Sequence, residues 1–216
     1  MLQSEKQRLR GRMKQSLKLL GAADIKEKSG RLCACLAAAD FWPGMPAVAA
    51  FLPLPGEPDP RPLLEQALRE GKTLLLPALD GESLVFHKVS GLATDLVLHA
   101  YGMLQPAPYL PRVECSGFSE IVFLVPGLAF SRDGGRLGRG KGFYDRFFHR
   151  LTADRALSIR GTVSHGLAGA RLRPAVSVPL ILGTAFSCQI LDTVPRDEND
   201  FPMGGLATED GVILFR

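Results

Sequence analysis

The chain has 216 residues, enough for one α/β domain with a well-buried core or at most two small domains. Hydrophobic residues make up 46% and charged residues 22%, as in ordinary globular proteins, and no apolar run approaches the length of a membrane span. The formal charge of +4 is not spread over a face that could follow a nucleic-acid backbone, because much of the basic character lies in one short segment, residues 5–18.

The charged beginning of the chain, MLQSEKQRLR, lacks the apolar core of a signal peptide, so we expect a cytoplasmic protein. The four cysteines are Cys33, Cys35, Cys115 and Cys188. Their spacing does not match a zinc site, and we expect them to be reduced thiols.

The first forty residues predict two helices. Leu9, Met13 and Leu17 recur every four residues, which predicts an amphipathic first helix. Its bases form a second stripe beside the apolar one: Lys6, Arg10, Lys14 and Lys18. A solvated helix face is the usual explanation of such a stripe. The second helix is predicted to follow Asp24, whose side chain is a candidate N-cap.

Strands and helices then alternate along the chain. The predicted strands are residues 46–54, 72–79, 83–90, 120–127 and 178–186, which are short, apolar and bounded by turn residues. Further helices are predicted to begin at Pro62 and at Phe143, and Gly71 ends the first of them. Residues 152–177 have no clear pattern, so a short helix and a loop both remain open.

Strands that are apolar on both faces and alternate with helices indicate a mainly parallel sheet covered by helices on both sides. We therefore predict a three-layer α/β/α fold, Rossmann-like, in a single domain that spans residues 1–216. Ligands of such folds bind beyond the carboxyl ends of the strands. The segment DGGRLGRGKGFYD, residues 133–145, follows a predicted strand at such a place. We call it the glycine loop.

The glycine loop resembles a Walker A loop in spacing, but Gly142 stands where that loop needs a Ser or Thr for magnesium. Gly138, Gly140 and Gly142 alternate, so the backbone can adopt unusual angles and a ligand can approach the main chain. Successive N–H groups of such a loop can form an anion nest, and the helix that follows adds its own free N–H groups.

Charged side chains of the same loop favour phosphate binding over a flexible basic turn. Arg136, Arg139 and Lys141 supply three cations, and guanidinium can hold a phosphate with two hydrogen bonds. Asp145, about one turn into the predicted helix, can supply the carboxylate oxygen that magnesium favours. A nucleotide loop of a type other than Walker A is therefore the better interpretation.

The stretch PGLAFSRDGGRLGRGKGFYD, residues 126–145, resembles the signature of the 5-formyltetrahydrofolate cyclo-ligase family, also called methenyltetrahydrofolate synthetases. The similarity extends in order along most of the chain, through KQRLR near the start, FLPLPGE at 51–57, YGMLQP at 101–106, and VPRDEND and ATEDGV near the end. Phe143 replaces the more usual first tyrosine of the signature.

The resemblance implies an enzyme that uses ATP and Mg²⁺ to convert 5-formyltetrahydrofolate to 5,10-methenyltetrahydrofolate, with release of ADP and phosphate. The γ-phosphoryl group goes to the formyl oxygen, N10 attacks the activated carbon, and phosphate leaves. Such chemistry depends on positioning and charge neutralisation, which cations, N–H groups and magnesium provide.

The resemblance also implies roles for individual residues. Catalytic roles fall to Arg139, Lys141 and Tyr144. ATP contacts are implied for Lys6, Arg10, Arg136, Gly138, Arg139, Gly140, Lys141, Gly142, Phe143, Tyr144 and Asp145. Leu52, Glu57 and Tyr101 match substrate-contacting positions, where a carboxylate could accept the pterin N–H groups and an aromatic ring could stack. Asp145 and Asp200 match magnesium ligands.

Two other functions remain open from the sequence. One is a different ATP-dependent phosphotransferase or ligase that uses the same loop on another substrate. The other is a nucleic-acid-binding or ribosome-associated module that acts through the basic first helix. The folate assignment instead predicts a small-molecule substrate, in some cases polyglutamylated, with neither a nucleic acid nor a membrane as partner, and a monomer.

Overall fold

The computed structural model describes residues 1–98, 103–118, 120–163 and 179–215, with the side chains of 155–163 left out. In chain order the strands are β1 (Ala47–Ala49), β2 (Thr73–Asp80), β3 (Ser83–Val89), β4 (Leu96–Leu98), β5 (Leu104–Pro106), β6 (Arg112–Val113), β7 (Ile121–Val125), β8 (Ala129–Ser131), β9 (Arg136–Leu137), β10 (Leu180–Thr184), β11 (Ile190–Leu191), β12 (Gly205–Thr208) and β13 (Gly211–Leu214). The helices are α1 (Leu2–Lys18), α2 (Ala22–Ala37), α3 (Arg61–Arg69) and α4 (Phe143–Val163).

The central sheet has eight strands in the order β13-β12-β10-β7-β1-β2-β3-β6. The five strands from β12 to β2 pair in parallel. β13 at one edge, and β3 and β6 at the other, are antiparallel to their neighbours. The predicted mainly parallel sheet is therefore confirmed.

Helices cover both faces of this sheet, as predicted. Successive residues of a strand point to opposite faces, so Val48 enters the core beneath α2 and α3 while Ala49 enters the core beneath α4. Leu32 and Leu63 are buried in the first core, and Phe148 is buried in the second. The three layers follow from this double-sided burial.

A second, three-stranded sheet in the order β11-β8-β9 carries the glycine loop. β8 and β9 pair antiparallel directly after β7, a hairpin too short to produce a recognisable sequence pattern. The Phe130 ring on β8 is fully buried against Gly183 on β10 and Gly127 in the short connection after β7. A Cβ atom at Gly183 would lie 2.5 Å from that ring, and one at Gly127 would lie 2.6 Å from it. This close contact joins the small sheet to the large one.

Helix α1 packs on the small sheet. Its buried residues Met13 and Leu17 contact a cluster that includes Leu128, Leu137 and Phe186. The apolar stripe that predicted this helix is therefore the face that packs against the small sheet, and it holds α1 beside the glycine loop. Within the described residues, no helix is both long and apolar enough to cross a membrane.

The structure corrects several local predictions. α2 begins at Ala22, and Asp24 is not its N-cap but the third helical residue, where its carboxylate accepts the N–H of Gly21 at 3.2 Å. α3 begins one residue before Pro62, and β1 is much shorter than residues 46–54. Residues 152–163 continue α4, whereas 164–177 lie outside the described residues. The prediction for the cysteines is confirmed, because all four are free thiols.

We predict that Gly183→Ala destabilises the protein by about 1–3 kcal/mol, because the new methyl group overpacks the Phe130 ring between two rigid sheets. Urea unfolding followed by circular dichroism measures the change. Gly30→Ala is the matched control, since a Cβ atom there meets open space within α2 and should stabilise by about 0.5–1 kcal/mol. Equal effects of the two substitutions would contradict the proposed packing.

Candidate functional site

Four segments meet around the glycine loop: α1, the turn between β1 and α3, the start of α4, and the segment between β11 and β12. They come together because the loop follows the carboxyl end of β7, near the middle of the parallel sheet. The sequence-predicted site residues that the structure describes lie on the glycine loop itself or on these four segments.

Lys6 is buried, with only 4% of its surface exposed, and its amine lies between two carboxylates. Its Nζ donates to Oδ2 of Asp197 at 2.7 Å and to Oδ2 of Asp200 at 2.5 Å. Burial lowers the pKa of Lys6, but the two carboxylates outweigh it, and the net pKa is raised. The hydrogen bond from Lys6 in turn lowers the pKa of Asp197. Lys6 is therefore held as a cation inside the site.

Arg10, one helical turn after Lys6, also faces the glycine loop. Its Nε donates to the carbonyl oxygen of Gly138 at 3.0 Å. Gly140 has φ +102°, and a Cβ atom there would lie 3.4 Å from the Arg10 guanidinium carbon. The solvated-face explanation of the basic stripe is therefore wrong for Lys6 and Arg10.

Arg136 is a buried residue that organises the start of α4. Its Nη2 donates to Oδ1 of Asp145 at 2.7 Å, and its Nη1 donates to the carbonyl of Pro126 at 3.4 Å. Its guanidinium carbon lies 5.6 Å from the centre of the Tyr144 ring, within range of a cation–π interaction. Because its side chain is only 5% exposed, Arg136 orients its neighbours from within the protein.

Asp145 and Asp200, the two predicted magnesium ligands, are brought close together. The amide of Phe201, the residue after Asp200, donates to Oδ1 of Asp145 at 3.2 Å. Carboxylate oxygens are suitable ligands for Mg²⁺, which usually takes one or two of them together with phosphate and water oxygens. The described residues contain no group of three or more potential ligands that would hold a metal by itself. The donor set therefore fits an ion that arrives with a phosphate.

Tyr144 lies beside this arrangement on the first turn of α4. Desolvation raises the pKa of Tyr144, and the nearby Arg136 opposes that effect while Glu57 adds to it. The hydroxyl therefore stays protonated at neutral pH and is suited to donate a hydrogen bond. Phe143, next to it, packs under the Arg146 guanidinium, whose carbon lies 5.4 Å from the ring centre.

Glu57 and Arg139 form an ion pair across the site. Nε and Nη2 of Arg139 both donate to Oε1 of Glu57, at 3.0 Å and 2.6 Å. The amide of Leu54 donates to the other carboxylate oxygen at 3.0 Å, within a turn in which Gly56 has φ +84°. The left-handed glycine allows the turn that brings the Glu57 carboxylate back over Leu54.

The remaining predicted residues differ in their surroundings. The Lys141 residue is exposed at the tip of the glycine loop, and Gly142 has φ +64°, an angle that glycine adopts without strain. Leu52 is partly buried against the core beneath α2 and α3. Tyr101 lies outside the described residues.

Asp197 is a site residue that the sequence did not single out. Besides accepting from Lys6, it donates its own N–H to Oδ2 of Asp200 at 2.7 Å, and its Oδ1 accepts the N–H of Asn199 at 3.0 Å. The sequence did offer one indication: Asp197 stands three residues before Asp200 in VPRDEND, and this spacing allows the side chain of the second aspartate to accept the N–H of the first within a turn. Only the position of Lys6, 191 residues away in the chain, reveals its importance.

The model of the 5-formyltetrahydrofolate cyclo-ligase family matches residues 2–209 of this chain. The chain is 26% identical to 5-formyltetrahydrofolate cyclo-ligase of Mus musculus over 213 residues, which cover 96% of this chain and 95% of the mouse protein. It is 29% identical to the 5-formyltetrahydrofolate cyclo-ligase of Escherichia coli K12 over 171 residues, which cover 76% and 79% of the two chains.

Two solved structures are also similar. The 5,10-methenyltetrahydrofolate synthetase of Aquifex aeolicus superposes with a TM-score of 0.74 at 29% identity, covering 98% of this chain and 93% of that one. The synthetase from Mycoplasma pneumoniae superposes with a TM-score of 0.62 at 17% identity, covering 94% and 98%, and this likeness concerns the fold alone.

We predict that Asp197→Asn reduces the acid sensitivity of the fold. Because the pKa of Asp197 is lowered in the folded state, its charge stabilises the protein at neutral pH, and this contribution is lost as the pH falls through the folded-state value. Urea unfolding at about pH 7 and about pH 3.5 should therefore show a smaller loss of stability in the variant than in the parent.

The exposed aspartate Asp192 provides the matched control for this measurement. Asp192→Asn should retain the pH dependence of the parent, because it makes the same chemical change away from Lys6. A loss of stability in Asp197→Asn as steep as that of the parent would show that the Lys6–Asp197 pair contributes nothing to it.

Proposed function

This chain belongs to the 5-formyltetrahydrofolate cyclo-ligase family and is a ligase of folate metabolism, and we propose that it works by phosphoryl transfer from ATP. The reaction would convert 5-formyltetrahydrofolate and ATP to 5,10-methenyltetrahydrofolate, ADP and phosphate. The observation that carries the proposal is the convergence of four basic side chains, from α1 and from the glycine loop, beside a buried carboxylate suited to a pterin.

The chemical problem of the reaction explains why such a site is needed. The oxygen of a formamide is a poor leaving group until it is phosphorylated. Transfer of the γ-phosphoryl group to that oxygen makes the formyl carbon electrophilic, N10 of the same substrate forms the new C–N bond, and the oxygen leaves with the phosphate. The protein has to align the two substrates and neutralise the phosphate charge.

The basic residues of the site are suited to that neutralisation in different ways. Lys141 is exposed on the loop and free to follow a mobile phosphate as a point charge. Arg139 can bind a phosphate with two parallel N–H groups. Lys6 and Arg10 present charge from the side of α1, and the glycine backbone contributes N–H groups to the same region. Tyr144 can donate its hydroxyl proton in a hydrogen bond.

Asp145 and Asp200 are the residues that would hold Mg²⁺ in this proposal. Each carboxylate accepts a hydrogen bond from a basic residue in the free protein, Arg136 for Asp145 and Lys6 for Asp200. The bound ion would supply positive charge against the phosphate oxygens. Arg136 and Lys6 keep the two carboxylates oriented until then.

The substrate wall is the turn between β1 and α3. Glu57 can accept the amino and ring N–H groups of a pterin, Leu52 offers an apolar surface beside it, and Tyr101 is proposed as a stacking partner. We further propose a monomer, organised as a single domain over residues 1–216, that acts in the cytoplasm and also accepts polyglutamylated forms of the folate.

The proposal predicts that the purified protein, mixed with 5-formyltetrahydrofolate and Mg-ATP, produces the absorbance of the methenyl product together with stoichiometric phosphate. Both signals should depend on ATP and on Mg²⁺. Release of phosphate without a methenyl product would instead indicate another phosphotransferase with the same loop. A complete lack of product at high enzyme concentration would overturn the proposed reaction.

We predict that Lys141→Ala lowers kcat/KM for ATP by about tenfold to a hundredfold, the loss of about 1–3 kcal/mol expected for one charged contact. Steady-state kinetics at varied ATP measures it. Lys88→Ala on β3 is the matched control, because it removes an equally exposed lysine away from the loop and should leave the kinetics unchanged. If Lys141→Ala also behaves like the parent, Lys141 does not contact the nucleotide.

A further inference from the structure

The Glu57–Arg139 pair joins two residues that the proposed function assigns to different ligands. Glu57 would bind the pterin and Arg139 would bind a phosphate of ATP, yet in the free protein each occupies the other's hydrogen-bonding groups. The inference below rests on that proposed function and concerns how the same site is regulated.

Glu57 cannot remain without a partner. Its side chain is only 5% exposed, so water can solvate the charge poorly. A carboxylate in such surroundings that loses its cation is strongly destabilised unless other donors replace it. The amide of Leu54 satisfies Oε2, whereas both N–H groups of Arg139 go to Oε1. Oε1 is therefore the atom that needs a new donor if Arg139 leaves.

Arg139, in contrast, is able to leave. Its side chain is 39% exposed, and it lies between Gly138 and Gly140 in the part of the loop where the backbone is least restricted. Guanidinium binds phosphate with the same planar pair of N–H groups that it offers a carboxylate. A triphosphate in the glycine loop would compete directly with Glu57 for these groups.

We infer that this ion pair couples the two substrates, so that a bound triphosphate withdraws Arg139 from Glu57 and the freed carboxylate then binds the pterin more tightly. The donors that Glu57 lacks after the exchange are those that a pterin supplies through its amino and ring N–H groups. By reciprocity, a bound folate that occupies Glu57 releases Arg139 for the phosphate. The free enzyme neutralises both groups and binds each ligand less well.

The alternative is that Arg139 contacts both partners at once. Its guanidinium has five N–H groups, so it could hold a phosphate with Nη1 while Nε and Nη2 stay on Glu57. Glu57 would then remain occupied, and nucleotide would not increase folate affinity. A binding measurement separates this bridge from the exchange.

The experiment measures the Kd of 5-formyltetrahydrofolate by calorimetry, with and without a saturating non-hydrolysable ATP analogue and Mg²⁺. We expect the folate to bind about tenfold more tightly when the analogue is present, within the usual range for coupled sites. Inorganic tripolyphosphate should produce most of this gain and adenosine none of it, because the phosphates are what attract Arg139.

Arg139→Gln and Glu57→Gln should each reduce the gain to less than about twofold, since either substitution removes the charge pair that is exchanged. Arg132→Gln, at an exposed arginine in the turn between β8 and β9, is the matched control and should retain the full gain. Thermal unfolding identifies any variant that fails to fold. Even without the variants, the gain in folate affinity measured for the parent protein distinguishes the exchange of Arg139 from the bridge.

Each outcome bears on the inference. The inference is overturned if the Kd of the folate is equal or higher in the presence of the analogue, and also if Arg139→Gln retains the full gain in affinity. Both results leave the proposed reaction intact if the parent protein still produces the methenyl folate. Failure of the parent protein to bind either ligand would remove the proposed function and the coupling together.

Discussion

The site depends on the attraction between cations and partly buried carboxylates. Lys6 and Arg139 each bond to an acid from a distant part of the chain, whereas Arg136 bonds to Asp145 within the glycine loop. Each of these acids also accepts a hydrogen bond from a backbone amide. These pairs hold the basic side chains in place, which would otherwise repel one another or rotate into solvent. Desolvation offsets much of the attraction within a buried pair, so the positions that these pairs fix matter more for the site than the net stability that they add.

Packing explains why those charges lie within reach of each other. The ring of Phe130 packs against Gly183 and Gly127 and joins the small sheet to the large one, and the apolar side of α1 covers the small sheet. The basic side of α1 is thereby turned toward the glycine loop. One helix thus supplies both a hydrophobic contact and two cations, which is why its two stripes lie side by side.

The sequence predicted the layers, the parallel sheet and the position of the glycine loop after β7 well, because these depend on local periodicity and on residue types with few conformational options. It did not predict Asp197 or the Glu57–Arg139 pair, because those depend on distant segments whose relative placement no local pattern encodes. The N-cap was predicted three positions too late, at Asp24 instead of Gly21, since an aspartate can satisfy the first turn from more than one place. The β8–β9 hairpin was too short to be recognised.

The bonds from Lys6 to Asp197 and Asp200 join positions separated by 191 and 194 residues. Closing so large a loop costs chain entropy, so these bonds depend on the rest of the fold to bring the two ends of the chain together. The position of Lys6 between these carboxylates therefore depends on the packing of α1 against the small sheet, and a change that loosened this packing would also disturb the ion pairs beside the glycine loop.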